Sequence, residues 1–139
     1  MIYHPRANHI IDNNNVTIIG SGATTLMLAH GFGCDQNMWK YLTPLLDRKY
    51  RLVLFDYVGC GKSNVNAYDK SRYETLEGYA QDVVDICEAL ELTEVTFIGH
   101  SVSGTIGYLA SHTAPQHFSN FVLICPSPCF LNLPPDYFG

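Results

Sequence analysis

The sequence predicts an α/β fold, a mostly parallel sheet with helices on both faces. Three observations carry that prediction. Thr25 to Ala29 is a continuous apolar run, and Arg51 to Phe55 reads as the next strand buried on both faces of a parallel sheet. Leu76, Tyr79, Ala80, Val83, Val84, Cys87 and Leu90 recur at steps of three and four, the period of a helix with one buried face. Val95 to Ile98 is again β-branched and aromatic, and Ile106, Leu109 and Ala110 behind it return to helical spacing. In such an alternation, ligands bind beyond the carboxyl ends of the strands.

In chain order, residues 1–14 are polar and turn-rich and read as a loose lead-in, with or without an edge strand. The core domain is expected from residue 15 to residue 139. Val16 to Ile19 is a short strand and Ser21-Gly22 a turn. Thr25 to Ala29 ends in His30-Gly31-Phe32-Gly33. Met38, Trp39, Leu42 and Leu45 form a helical stripe, with Asp35 or Asn37 as its cap. The strand Arg51 to Phe55 closes in Asp56-Tyr57-Val58-Gly59-Cys60-Gly61-Lys62-Ser63, and a polar loop runs on to about Tyr73. On the helix from Leu76, the residues Glu77, Asp82, Asp85, Glu88 and Glu91 fill the opposite side and read as a solvated face. Asn120 to Ile124 is the last strand, expected to present an exposed edge, and Cys125 to Gly139 reads as a Pro-rich loop.

The chemistry centres on Gly99-His100-Ser101-Val102-Ser103-Gly104. Gly99 is expected to stop the strand, and the helix beyond Ser101 to end near Pro115. One serine at a strand-to-helix turn is the context of a nucleophile elbow. Small residues two before and two after, here Gly99 and Ser103, let strand and helix approach closely. The competing reading is a serine that merely caps a helix. An oxyanion hole needs two donors, and the amides of Val102 and Phe32 are the candidates. Gly31 and Gly33 would let the Phe32 loop curl towards the serine. The side chain of His100 is expected to leave on the far side of the elbow.

Several other readings fall away. Gly59-x-Gly61-Lys62-Ser63 lacks the first glycine of a phosphate-binding loop, because position 56 is Asp56. None of the histidines, His4, His9, His30, His100, His112 and His117, has metal-ligand spacing, so neither metal nor cofactor is expected. His112 and His117 lie about 15 Å or more along the helix from Ser101 at helical rise, too far to serve as its base. Asp136 comes too early in the chain for the triad acid. No histidine follows His117, so the nucleophile and oxyanion hole are present without the rest of a triad. The 139 residues carry 13 acidic against 8 basic side chains, a net charge of −5, with no basic run, which argues against nucleic-acid and anionic-membrane partners. With no long apolar stretch and no apolar leader at the N-terminus, a cytoplasmic location is expected. There the cysteines Cys34, Cys60, Cys87, Cys125 and Cys129 read as free buried thiols.

Five motifs fall in order at consistent spacing: His30 to Trp39, Leu54 to Ser63, Tyr73 to Asp82, Gly99 to Ser103 and Cys125 to Asn132. Together they resemble the α/β-hydrolase group that contains the bacterial stress-sigma-factor regulator RsbQ and the plant karrikin and strigolactone receptors. The resemblance runs from about Asn15 to Gly139. It implies Ser101 as nucleophile, the Phe32 and Val102 amides as oxyanion hole, and a small apolar pocket under a helical lid beside Phe32 and His100. It also implies slow hydrolysis of a small hydrophobic ester or lactone, or a receptor role acting on a protein partner such as a phosphatase. Members of the group are roughly twice this length, so the chain reads as the N-terminal half of such a protein.

Overall fold

The computed structural model describes residues 5–128, together with the backbone of residues 132–133 and 137–138. The first helix, α1 (Pro5–Asn13), is followed by β1 (Thr17–Ile19) and β2 (Thr25–Ala29). A 3₁₀ turn (Gln36–Trp39) and a short α2 (Thr43–Leu46) lead to β3 (Arg51–Leu54). Then come α3 (Leu76–Ala89), β4 (Val95–His100), α4 (Val102–Thr113) and β5 (Phe118–Ile124). The strands form one sheet in the order β1-β3-β2-β4-β5. All neighbours are parallel except β1, which runs antiparallel to β3.

Side chains alternate between the two faces of the sheet with period two. Met27, Ala29, Val53, Phe55, Val95 and Phe97 meet Val83, Ile86 and Cys87 of α3 and Ile106 and Ala110 of α4. Leu26, Leu28, Leu52, Leu54 and Ile98 face the other way, onto Trp39, Leu42 and Leu46. Every residue of β2 is buried, which explains its unbroken apolar run. Among the described residues β5 has a neighbour on one side only, and Phe121, Val122, Leu123 and Ile124 are exposed along it.

Several expectations need correction. The lead-in is a helix from Pro5 to Asn13, with Ile10 and Ile11 packed on the core. It ends in a Schellman motif: Val16 N–H reaches the Ile11 carbonyl at 2.9 Å, Asn15 N–H reaches Asp12 at 3.2 Å, and Asn15 takes φ 44°. The stripe from Met38 is a 3₁₀ turn and a separate α2, because Pro44 near the start of α2 suits a new first turn but not a helix interior. Leu45 is consequently 76% exposed. β4 continues through Gly99, which pairs with both Ala29 and Leu123, and stops only at His100. Of the acidic face on α3, Asp82 is buried.

Among the described residues the cysteines are free, but only Cys87 is buried, its thiol pushed up to about 12 by burial. Cys34, Cys60 and Cys125 sit in loops and stay partly or fully exposed. Residues 132–133 and 137–138 form a short antiparallel pair within what was expected to be loop. His4, Cys129 and Asp136 lie outside the described residues.

Candidate active site

β2, β3 and β4 run parallel, so their carboxyl ends bring His30, Asp56 and Ser101 to one edge of the sheet. At the end of β4, Ser101 adopts φ 56° and ψ −123°. That region costs a non-glycine residue about 1–3 kcal/mol and persists only where its surroundings enforce it. Here the Ser101 N–H bonds the Ile124 carbonyl at 2.8 Å, and its own carbonyl accepts from Gly104 N–H at 2.9 Å. A Cβ on Gly99 would sit 2.7 Å from the Ser103 carbonyl oxygen, so the close approach of β4 and α4 requires glycine there. Ser101 occupies the N-cap position of α4 yet makes no capping bond with its side chain. Its hydroxyl is therefore not used as a helix cap. Val102 opens α4, so its amide stands ahead of the first hydrogen-bonded turn of the helix.

The loop after β2 lies against this turn. A Cβ on Gly31 would come within 3.4 Å of the Ser101 Cβ and 2.6 Å of His100 Nδ1. The His100 ring thus packs on the Phe32 loop rather than leaving on the far side of the elbow, and its Nδ1 is buried without a hydrogen-bond partner. The buried His30 holds the same loop from below. Its Nε2 accepts the Tyr57 N–H at 3.2 Å, so the hydrogen-bond network assigns the proton to Nδ1, which donates to the Gly31 carbonyl at 2.8 Å. Cys34 N–H reaches that carbonyl as well, at 3.2 Å, across a turn with Gly33 at φ 72°. A carbonyl held this way leaves the Phe32 N–H pointing in the opposite direction within the plane of the trans peptide. The Phe32 ring itself is 93% exposed.

Two residues after β3 were not singled out from the sequence. Tyr57 is buried, stacks edge-on with His30, Phe55 and Tyr79, and has its hydroxyl 2.8 Å from Ser103 Oγ. Burial pushes its phenol well above the usual range, against the opposing Ser103 hydrogen bond. Asp56 is also buried and accepts from Gln36 N–H at 2.8 Å, Lys62 N–H at 2.9 Å and the Asn15 amide at 2.8 Å. Burial alone would raise its carboxyl, but these donors outweigh it and hold the pKa below 3.8. The Gly59–Ser63 loop thus turns its Lys62 amide to a carboxylate of its own chain, and Ser63 Oγ accepts from Gly59 N–H at 3.0 Å. The available signal was position: both residues lie within three residues of the carboxyl end of β3.

Among the described residues, no side chain hydrogen-bonds Ser101 Oγ. His117 is engaged at the far end of the fold, where its Nδ1 donates to the Leu92 carbonyl at 2.7 Å, and His9 pairs with Asn13 at 3.0 Å. No group of three or more His, Cys, Asp or Glu among the described residues is placed to hold a metal ion. No described helix is long and apolar enough to cross a membrane.

The alpha/beta hydrolase fold family matches residues 24–138. A karrikin insensitive 2 receptor of Petunia hybrida is 47% identical over 126 residues, covering 91% of this chain and 46% of the relative. A strigolactone esterase of Arabidopsis thaliana is 42% identical over 132 residues, covering 95% of this chain and 49% of the relative. The solved structure of a hydrolase from Oleispira antarctica matches with a TM-score of 0.89 at 47% identity, covering 100% of this chain and 50% of that one. The chain spans about half the length of the curated relatives it matches. With a strand-to-helix serine turn, a glycine loop against it and a family match across most of its length, the chain belongs to the α/β-hydrolase fold family.

Proposed function

We infer that this chain supplies the nucleophile and oxyanion hole of a serine hydrolase acting on a small apolar ester or lactone, in cytoplasmic stress or small-molecule signalling. The observation that carries the reading is Ser101, held at φ 56° with a hydroxyl that caps nothing. Its Oγ would attack the substrate carbonyl, and the charge developing on the carbonyl oxygen would fall to the Phe32 and Val102 amides at the positive end of α4. Each such donor typically contributes about 3 kcal/mol of transition-state stabilisation. The hydroxyl proton needs a base oriented by an acid. Both are assigned to the part of the relatives' length that this chain does not span. Phe32 and His100 would border the pocket.

A second reading has support in the 47% identical relative named as a receptor. In it, the protein binds a small hydrophobic molecule and passes the signal to a phosphatase or another protein partner, with little turnover.

Incubation with a small aryl ester followed by intact-mass measurement tests both. The 139 residues alone are expected to give no turnover; ester cleavage by them that Ser101→Ala abolishes would refute the division of the triad. In a form carrying the full family length, fast turnover lost in Ser101→Ala supports the hydrolase. A long-lived adduct together with partner binding supports the receptor. Neither adduct nor turnover in that form would sink both.

A further inference from the structure

Ser103 stands where the more familiar elbow pattern has glycine, and it is fully buried. Its Oγ donates to the carbonyl of His30, which connects the first turn of α4 to the end of β2. A hydroxyl carries a single proton. With that proton given to His30, the 2.8 Å contact to Tyr57 Oη has Tyr57 as donor. Tyr57 in turn supplies its backbone N–H to His30 Nε2. One relay thus runs from the Tyr57 phenol through Ser103 to the backbone carbonyl of His30, while the His30 ring, held by the Tyr57 N–H, bonds the next carbonyl, that of Gly31. Both carbonyls that lead into Phe32 are held from inside the core.

We propose that Tyr57 and Ser103 are positioning residues that fix the 30–34 loop against the Ser101 turn, and with it the direction of the Phe32 amide. Nothing in the Gly-x-Ser-x-small pattern requires this, because glycine at position 103 would satisfy the close approach alone. The relay adds a polar connection between β2, β3 and α4 at the point where the two donors must be held at a fixed separation. The proposal rests on the Phe32 amide being an oxyanion donor only for its catalytic consequence; the holding of the loop is independent of it.

The test is amide hydrogen exchange on the full chain, comparing Tyr57→Phe, Ser103→Ala and the double variant. In each single variant, the Cys34 amide, whose acceptor is the Gly31 carbonyl, is expected to exchange about five-fold faster, the scale of one hydrogen bond. Amides in the middle of α3 should keep their rates. The double variant should exceed neither single one by more than about two-fold, since each breaks the same relay. Unchanged Cys34 exchange in both single variants, or acceleration spread equally over α3, overturns the proposal. Tyr57→Phe removes one oxygen without changing ring packing, so it remains informative if Ser103→Ala folds poorly. In the form with full family length, p-nitrophenyl acetate hydrolysis should lose about ten-fold in kcat at constant KM. Faster Cys34 exchange with unaltered kcat would leave the loop-holding role standing and remove Phe32 from the oxyanion hole instead.

Discussion

Arg72 Nη2 lies 2.7 Å from Asp82 Oδ1, joining the polar loop after β3 to the buried side of α3. Tyr73 donates to the same carboxylate at 3.0 Å, and Arg72 also reaches Asp85 at 3.0 Å. Burial nevertheless holds the Asp82 carboxyl above its usual range, against the pull of Arg72 and Tyr73. Arg72→Ala leaves that carboxylate buried without its cation. The expected cost is about 2 kcal/mol, reduced from the fully buried case because Arg72 is partly in solvent. Its variant pKa lies further above the unfolded value, so the charged form is the penalised one. The loss should be largest at pH 7 and shrink towards about pH 4, read by urea unfolding at both values.

Asp56 has the opposite sign. Its folded pKa is lowered from 3.8, so its contribution is present above the unfolded value and disappears as pH falls through the folded one. Asp56→Asn turns an amide nitrogen towards donors such as Lys62 N–H. The variant is expected to lose about 2 kcal/mol at neutral pH and progressively less as pH falls below the ordinary carboxyl value of 3.8. A constant loss across an acid titration would contradict the assignment.

Gly99→Ala drives a methyl to 2.7 Å from a backbone oxygen and 2.9 Å from the Phe97 ring. The backbone cannot give way cheaply, and the strand and helix must separate. A destabilisation of about 1–3 kcal/mol is expected in denaturant titrations.

Glu91 closes α3 with φ 52°, while Leu92 N–H reaches Cys87 O at 2.8 Å and Glu91 N–H reaches Glu88 O at 3.1 Å. This is a second Schellman ending, with glutamate where glycine is favoured. Glu91 is exposed, and Glu91→Gly should raise stability by about 0.5–1 kcal/mol, visible as a higher melting temperature.

Among the described residues no strand pairs with the outer side of β5, beside Val122 and Leu123 at 47% and 43% exposure. Concentration-dependent association of the 139-residue chain is expected, and Val122→Lys should suppress it in light scattering.

What was legible in the sequence was whatever local periodicity or a single turn could encode. Thr25–Ala29 has the bounds read from its composition, α3 follows its apolar stripe closely, and the strand–serine–helix unit is a local pattern. What escaped depended on partners distant in the chain. A helical-face argument assigns Asp82 to solvent because it cannot see Asn14 arriving from 68 residues away. The Tyr57–Ser103 contact spans 46 residues and leaves no trace in either neighbourhood. The first helix is short, and its end depends on asparagine in a left-handed conformation, which in sequence resembles an ordinary turn.

The amides of Asn14 and Asn15 lie within 3.5 Å of Asp82 and 2.8 Å of Asp56, one asparagine for each buried carboxylate. The asparagine pair therefore sets a practical limit on shortening the protein from its front. Trimming through residue 15 would strip a donor from both carboxylates in one cut, whereas a tag fused ahead of Pro5 leaves both contacts untouched. The opening segment is thus a fastening for the layers behind it, and a shortened version that begins at β1 should be judged as a double lesion rather than a tidier domain.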